Sequence, residues 1–143
     1  MEYAALPSQT KLDNYMLIAA VQGKDDDLRE QVRKGADPRA YKDAALPAAA
    51  GQGYTSTVLL LLEMGLDIHT DNDKPLRAAA EKDCEETVGV LILHGANFAA
   101  LPEDQQEKYR HLVPKTQEEL RAEQLSAVRV RQTSLRNFIR HRR

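Results

Sequence analysis

The sequence predicts an all-α solenoid of stacked helix pairs, and three observations carry that expectation. The chain matches itself at a period of 30 residues: Leu46 lies under Leu76, Ala49 and Ala50 under Ala79 and Ala80, Val58 under Val88, Leu61 and Leu62 under Leu91 and Ile92, and Gly65 under Gly95. One period further back stand Met16, Ala19, Ala20, Leu28, Gly35 and Asp37. Within each copy the apolar residues recur at i, i+3, i+4, as Val88, Leu91 and Ile92 do, which is the spacing of one face of a helix. Each copy also opens on a run of small residues, such as Ala78-Ala79-Ala80, which favours helix and lets a neighbouring backbone come close. A unit of this size cannot bury its apolar face alone, so the stack is the folding unit.

The elements follow in order. Residues 1–12 read as an irregular lead-in with a bend at Leu6-Pro7. Asp13, Asp43 and Asp73 each stand three residues before a first core residue and read as N-caps, where a carboxylate accepts free backbone N–H groups and meets the positive end of the helix. They divide the repeats into 13–42, 43–72 and 73–98. In the first copy Asp25-Asp26-Asp27 marks the entry to the second helix, and Arg29, Glu30, Gln31, Arg33 and Lys34 give a polar outer face suited to a terminal repeat. The second copy, with Val58 to Leu62, is the most apolar. In the third, Gly89 interrupts the second helix at a cost of about 1 kcal/mol against Ala. Gly95 sits where a left-handed helix stop belongs.

These stretches, MLIAAVQGK…LREQVRKGAD, LPAAAGQGY…VLLLLEMGLD and LRAAAEKDC…VGVLILHGAN, resemble the ankyrin repeat. The period of 30 is shorter than the usual 33 or so. The family's T-P-L-H entry is replaced by the three aspartates, and Asp83 replaces the mid-hairpin glycine that Gly23 and Gly53 supply to the first two copies. The stretch DIHTDNDKPLRAAAE is similar to the shorter, 30-residue variant of the repeat.

Residues 99–143 read as a degenerate capping repeat and a long arginine-rich helix. Pro102 starts a helix to about His111, with Tyr109 and Arg110 where the alanine pair belongs, and Val113-Pro114 ends it. Thr116-Gln117-Glu118-Glu119 reads as a capping box opening an uninterrupted helix to about Arg140. The N-terminal half of that helix, with Leu120, Leu125 and Val128, is expected to pack near Gly89, Val90 and Leu93. Its C-terminal half is expected to project toward a partner chain.

Charge is divided along the chain. Residues 1–114 hold 12 basic and 19 acidic side chains, a net of −7, and residues 115–143 hold 8 basic and 3 acidic, a net of +5. Such asymmetry points to a separate role for the tail. A single cysteine, Cys84, cannot form an internal disulfide, and acids flank it, so it reads as inert. No secretory leader and no apolar run near the ~20 residues of a membrane span is evident, which predicts a cytoplasmic, intracellular protein without membrane partners. His69, His94, His111 and His141 are scattered, and no nucleophile, phosphate-loop or metal motif occurs. The chain reads as non-catalytic, with no cofactor and no metal.

The resemblance implies a protein–protein interaction module that uses the loop tips and the exposed face of each first helix. Carried onto this chain, the tips give Arg39, Tyr41, Lys42, His69, Asp71, Asn72 and Lys74, and the helix faces give Gln22, Lys24, Gln52, Tyr54, Glu81 and Lys82. Tyr41 and Tyr54 stand out because exposed aromatics anchor interfaces. A second contact surface is expected on the last helix at Arg129, Arg131, Leu135, Arg136, Phe138, Ile139 and Arg140. It could meet an acidic protein, an identical chain as a homodimer or, less favoured, nucleic acid.

Overall fold

The computed structural model describes residues 8–140. The lead-in through Leu6-Pro7, together with His141, Arg142 and Arg143, lies outside the described residues. The chain divides into two compact units, Met1–Val113 and Pro114–Arg143.

The first unit is a stack of helix pairs. α1 Gln9–Gln22 pairs with α2 Asp25–Arg33, α4 Ala45–Gly51 with α5 Thr55–Glu63, and α6 Thr70–Glu81 with α7 Glu85–Leu93. A single turn, α3 Ala40–Asp43, leads into α4. The inner helices α1, α4 and α6 lie side by side, as do the outer helices α2, α5 and α7. Leu46, Ala49, Val58, Leu61, Leu76, Ala79, Val88 and Leu91 are all fully buried, as the 30-residue register requires. Threonines tie successive outer helices: Thr57 Oγ1 donates to Asp25 of the copy before it, and Thr55 and Thr87 hydroxyls meet at 2.9 Å.

The three aspartates are not N-caps. α1 starts four residues earlier than Asp13, with Ser8 as its cap, and the Ser8 side chain accepts from Lys11 N. Asp13 lies inside α1, while Asp43 and Asp73 adopt left-handed backbone (φ 59° and 55°) at nearly buried positions. Their carboxylates are cross-links instead. Asp13 Oδ1 accepts the Asp37 N–H at 2.8 Å, and Asp73 Oδ1 accepts the Asn97 N–H at 2.9 Å, each fixing the loop 24 residues on. A side chain four residues earlier also donates to each aspartate: Gln9 Nε2 at 2.8 Å, Arg39 Nε at 3.2 Å and His69 Nδ1 at 2.8 Å. A carboxylate has lone pairs for several donors, and burying one without them would cost several kcal/mol.

The hairpin turns explain why the third copy departs from glycine. A Cβ on Gly23 would lie 2.7 Å from the ring of Tyr54, and one on Gly53 would lie 3.0 Å from Cys84 Sγ, because the residue after each turn sits on the turn of the copy before. Asp83 keeps the left-handed φ of 56° but has the cap beside it. Its carboxylate accepts from Lys108 Nζ and, at 3.0 Å, from the Tyr109 hydroxyl. Those two hydrogen bonds, Lys108 first, hold the Asp83 carboxyl below its usual range. Burial, and then the bond to Asp83, pushes the Tyr109 phenol up.

The cap itself is α8 Glu103–Tyr109, preceded by a turn at Phe98–Ala100 and followed by one at Arg110–Leu112. Tyr109 stands one period after Ala79 and is buried, 1% exposed. A large ring fits there because no further inner helix needs the close approach that alanine permits. The space beside Gly89 holds Leu112, whose methyls lie 3.9 Å from the position of a Cβ.

The second unit is α9 Gln117–Arg140. The capping box forms: Glu119 N donates to Thr116 Oγ1 at 3.2 Å, and Thr116 N donates to Glu119 Oε2 at 3.0 Å. None of the residues of α9 is buried.

Candidate functional site

A groove of about 680 Å³ opens on the inner-helix side between the second and third copies. Its floor is made of small side chains, Ala44, Pro47 and Ala48 from the second copy and Ala78 from the third. Each lies beside a core residue of its helix: Leu46 and Ala49 point into the stack, and Pro47 and Ala48 point out of it. The rim is Tyr41 and Lys42 on one side and Thr70, Asp71 and Lys74 on the other. Thr70 Oγ1 donates to the Lys42 carbonyl at 3.2 Å, so the two loop tips are bonded to each other across 28 residues.

The rim is built from left-handed backbone. Tyr41 and Lys42 have φ of 57° and 56°, and Asp71 and Asn72 occupy the matching positions one copy later with 49° and 55°. Aspartate and asparagine tolerate this region through their short polar side chains, whereas a tyrosine or lysine there costs roughly 1–2 kcal/mol. In the third copy Arg77 holds the turn, donating from Nη2 to the Asp71 carbonyl at 2.7 Å and from Nε to the Asn72 carbonyl at 3.0 Å. In the second copy the equivalent of Arg77 is Pro47, which cannot do this. The Tyr41 hydroxyl donates instead to Asn14 Oδ1 of the first copy.

Of the loop and helix residues expected to face a partner, Tyr41, Lys42, Asp71 and Lys74 line this groove. Lys74 Nζ lies 3.5 Å from an Asp71 carboxylate oxygen, while Lys42 has no ion pair among the described residues. Arg39 and His69 bond to Asp43 and Asp73 while staying more than half exposed, and Asn72 lends its carbonyl to Arg77. Tyr54 is packed over the Gly23 turn and is only 37% exposed, which gives it a structural task. Gln22, Gln52, Glu81 and Lys82 are exposed at the ends of their inner helices, and Lys24 stands with Asp25, Asp26 and Asp27 at the turn into α2.

Sequence reasoning missed the floor, Ala44, Pro47, Ala48 and Ala78, together with Thr70 and Arg77. The signal for the floor was present: these small residues stand next to the core positions of each first helix. It was hidden because alanine there was already accounted for by helix propensity and close packing.

On α9, Arg129, Arg131, Leu135, Arg136, Phe138, Ile139 and Arg140 are all exposed. Among the described residues no helix is long and apolar enough to cross a membrane, and no group of three or more His, Cys, Asp or Glu is placed to hold a metal ion.

Comparison with curated proteins returns no match. The family model for ankyrin repeats, three copies, matches residues 16–101, more than half of the chain, and that span includes the two copies that line the groove. Ankyrin repeats are generally protein–protein interaction modules, and the chain belongs to the ankyrin repeat family.

Proposed function

We propose that this protein is a non-catalytic binding module acting inside a cell, and that it holds a partner protein in the groove between its second and third repeats. The observation that carries this reading is the pair Tyr41-Lys42. It occupies left-handed backbone that the next copy gives to Asp71-Asn72, and both side chains line the groove. Strain of this kind persists where the surrounding structure enforces it, and it gathers at binding sites. Here it places a large aromatic ring and an unpaired ammonium over a small, partly apolar floor. The wall is pre-formed by the stack, so binding avoids much of the cost of ordering a loop. Arg39, His69 and Asn72 support the rim rather than touch the partner.

The test is partner capture from cells of the protein's own source, followed by affinity measurement with the purified partner. Tyr41→Ala and Lys42→Glu are expected to leave thermal melting near that of the parent and to weaken binding at least tenfold, because rigid aromatics and desolvated charges at the centre of an interface carry much of its energy. A partner bound equally well by both variants would place the site elsewhere.

A further inference from the structure

We infer that α9 is a second docking surface, and that its occupant is an amphipathic helix of another protein bearing a row of carboxylates. The inference does not depend on the groove reading. Along α9, Leu125, Val128, Leu135 and Ile139 share one face, with Gln132 completing the 3-4-3-4 seam. Arg129, Arg136 and Arg140, at i, i+7 and i+11, run along one edge of that face, and Arg131 lies on the other. None of these four arginines pairs with an acid among the described residues. The acids of this helix are confined to its start, where Glu119 closes the capping box and Glu123 pairs with Lys115. The remaining face carries Ser126, Val130, Thr133, Ser134 and Asn137, with Glu119 and Glu123 at its start and no cation.

Charge decides between occupants. A second α9 would set arginines against arginines whether the two helices ran parallel or antiparallel, which disfavours self-pairing. Phosphates of a nucleic acid would answer the arginines and leave the apolar seam in water. A lipid surface would answer the seam, but helices that lie on membranes carry cations broadly across the polar face, and here that face carries none. A partner helix with an apolar seam flanked by glutamate or aspartate answers both features at once. Its carboxylates gain bidentate partners and its apolar stripe covers the row from Leu125 to Ile139.

The experiment uses the full chain and two synthetic helical peptides of about four heptads with leucine at the seam. One carries Glu at both flanking rows and the other Lys, so each is kept from self-pairing by its own charge. Fluorescence anisotropy at low salt is expected to show binding of the Glu peptide at least tenfold tighter than the Lys peptide, weakening as salt is raised. Arg129→Glu with Arg136→Glu is expected to reverse the preference, and Leu135→Asp to abolish both. Arg129→Gln with Arg136→Gln, checked for helicity by circular dichroism, is expected to lose the discrimination without disturbing the helix. Absence of binding, or equal affinity for the two peptides, would overturn the inference. So would self-association lost in Leu135→Asp, or capture of phosphatidylserine vesicles or single-stranded RNA in preference to the Glu peptide.

Discussion

Left-handed backbone is costly for any residue with a Cβ, and this chain uses it at seven non-glycine positions among the described residues. Five of those seven are Asp or Asn; the exceptions are Tyr41 and Lys42. Lys42→Asn, which installs the residue the next copy uses, is therefore expected to raise stability by up to about 1 kcal/mol. The same change is expected to lower affinity for the partner, a trade that chemical denaturation and titration would reveal together. The turn glycines allow a second comparison. Gly23→Ala meets both a φ of +69° and the Tyr54 ring, whereas Gly95→Ala meets only its φ, with nothing within 4 Å. The expected loss is about 1 kcal/mol at Gly95 and clearly more at Gly23, measured as the shift in denaturation midpoint. An equal loss at the two positions would mean that Tyr54 moves aside freely.

At the scale of the element, the cap α8 is the place where pH should act. The Asp83 carboxyl is held low by Lys108 and Tyr109, so its contribution is full above the ordinary carboxylate range and disappears as pH falls through its folded value. The Lys108 ammonium is raised by the same hydrogen bond and the Tyr109 phenol by burial, so both favour the folded state below their ordinary ranges and cease to as pH rises through their folded values. Stability is expected to fall at both extremes. Asp83→Asn should flatten the acid limb of a melting-temperature profile; an unchanged acid limb would remove Asp83 from the account. Helix existence was legible throughout because the 3.6-residue period and the 30-residue repeat agree. The starts of the inner helices were not. Asp13, Asp43 and Asp73 look like caps in a list of residues, and only the fold reveals that Asp13 and Asp73 receive backbone N–H groups from 24 residues away and that Asp43 receives the Arg39 side chain. Tyr109 was read as a break in the pattern, although a ring is what the end of a stack of alanine contacts can accept.

For the whole molecule, the repeat register set the core almost residue by residue, because a solenoid repeats one interface and each copy tests the others. The candidate groove was half legible. Its rim residues Tyr41, Lys42, Asp71 and Lys74 follow from the family pattern, but its alanine and proline floor does not, since small residues carry no signal until the space above them is seen. The long helix was legible as a helix, because its capping box and its uninterrupted run both stand in the sequence. The central claim is that the partner sits on the inner-helix side between the second and third repeats. The most direct measurement is photo-crosslinking in the cell, with p-benzoylphenylalanine placed singly at Ala48 in the groove floor, at Lys74 on its rim and at the exposed Glu63 of outer helix α5. The account predicts one discrete protein adduct from Ala48 and Lys74 and none from Glu63; an adduct from Glu63 with none from the two groove positions would contradict it.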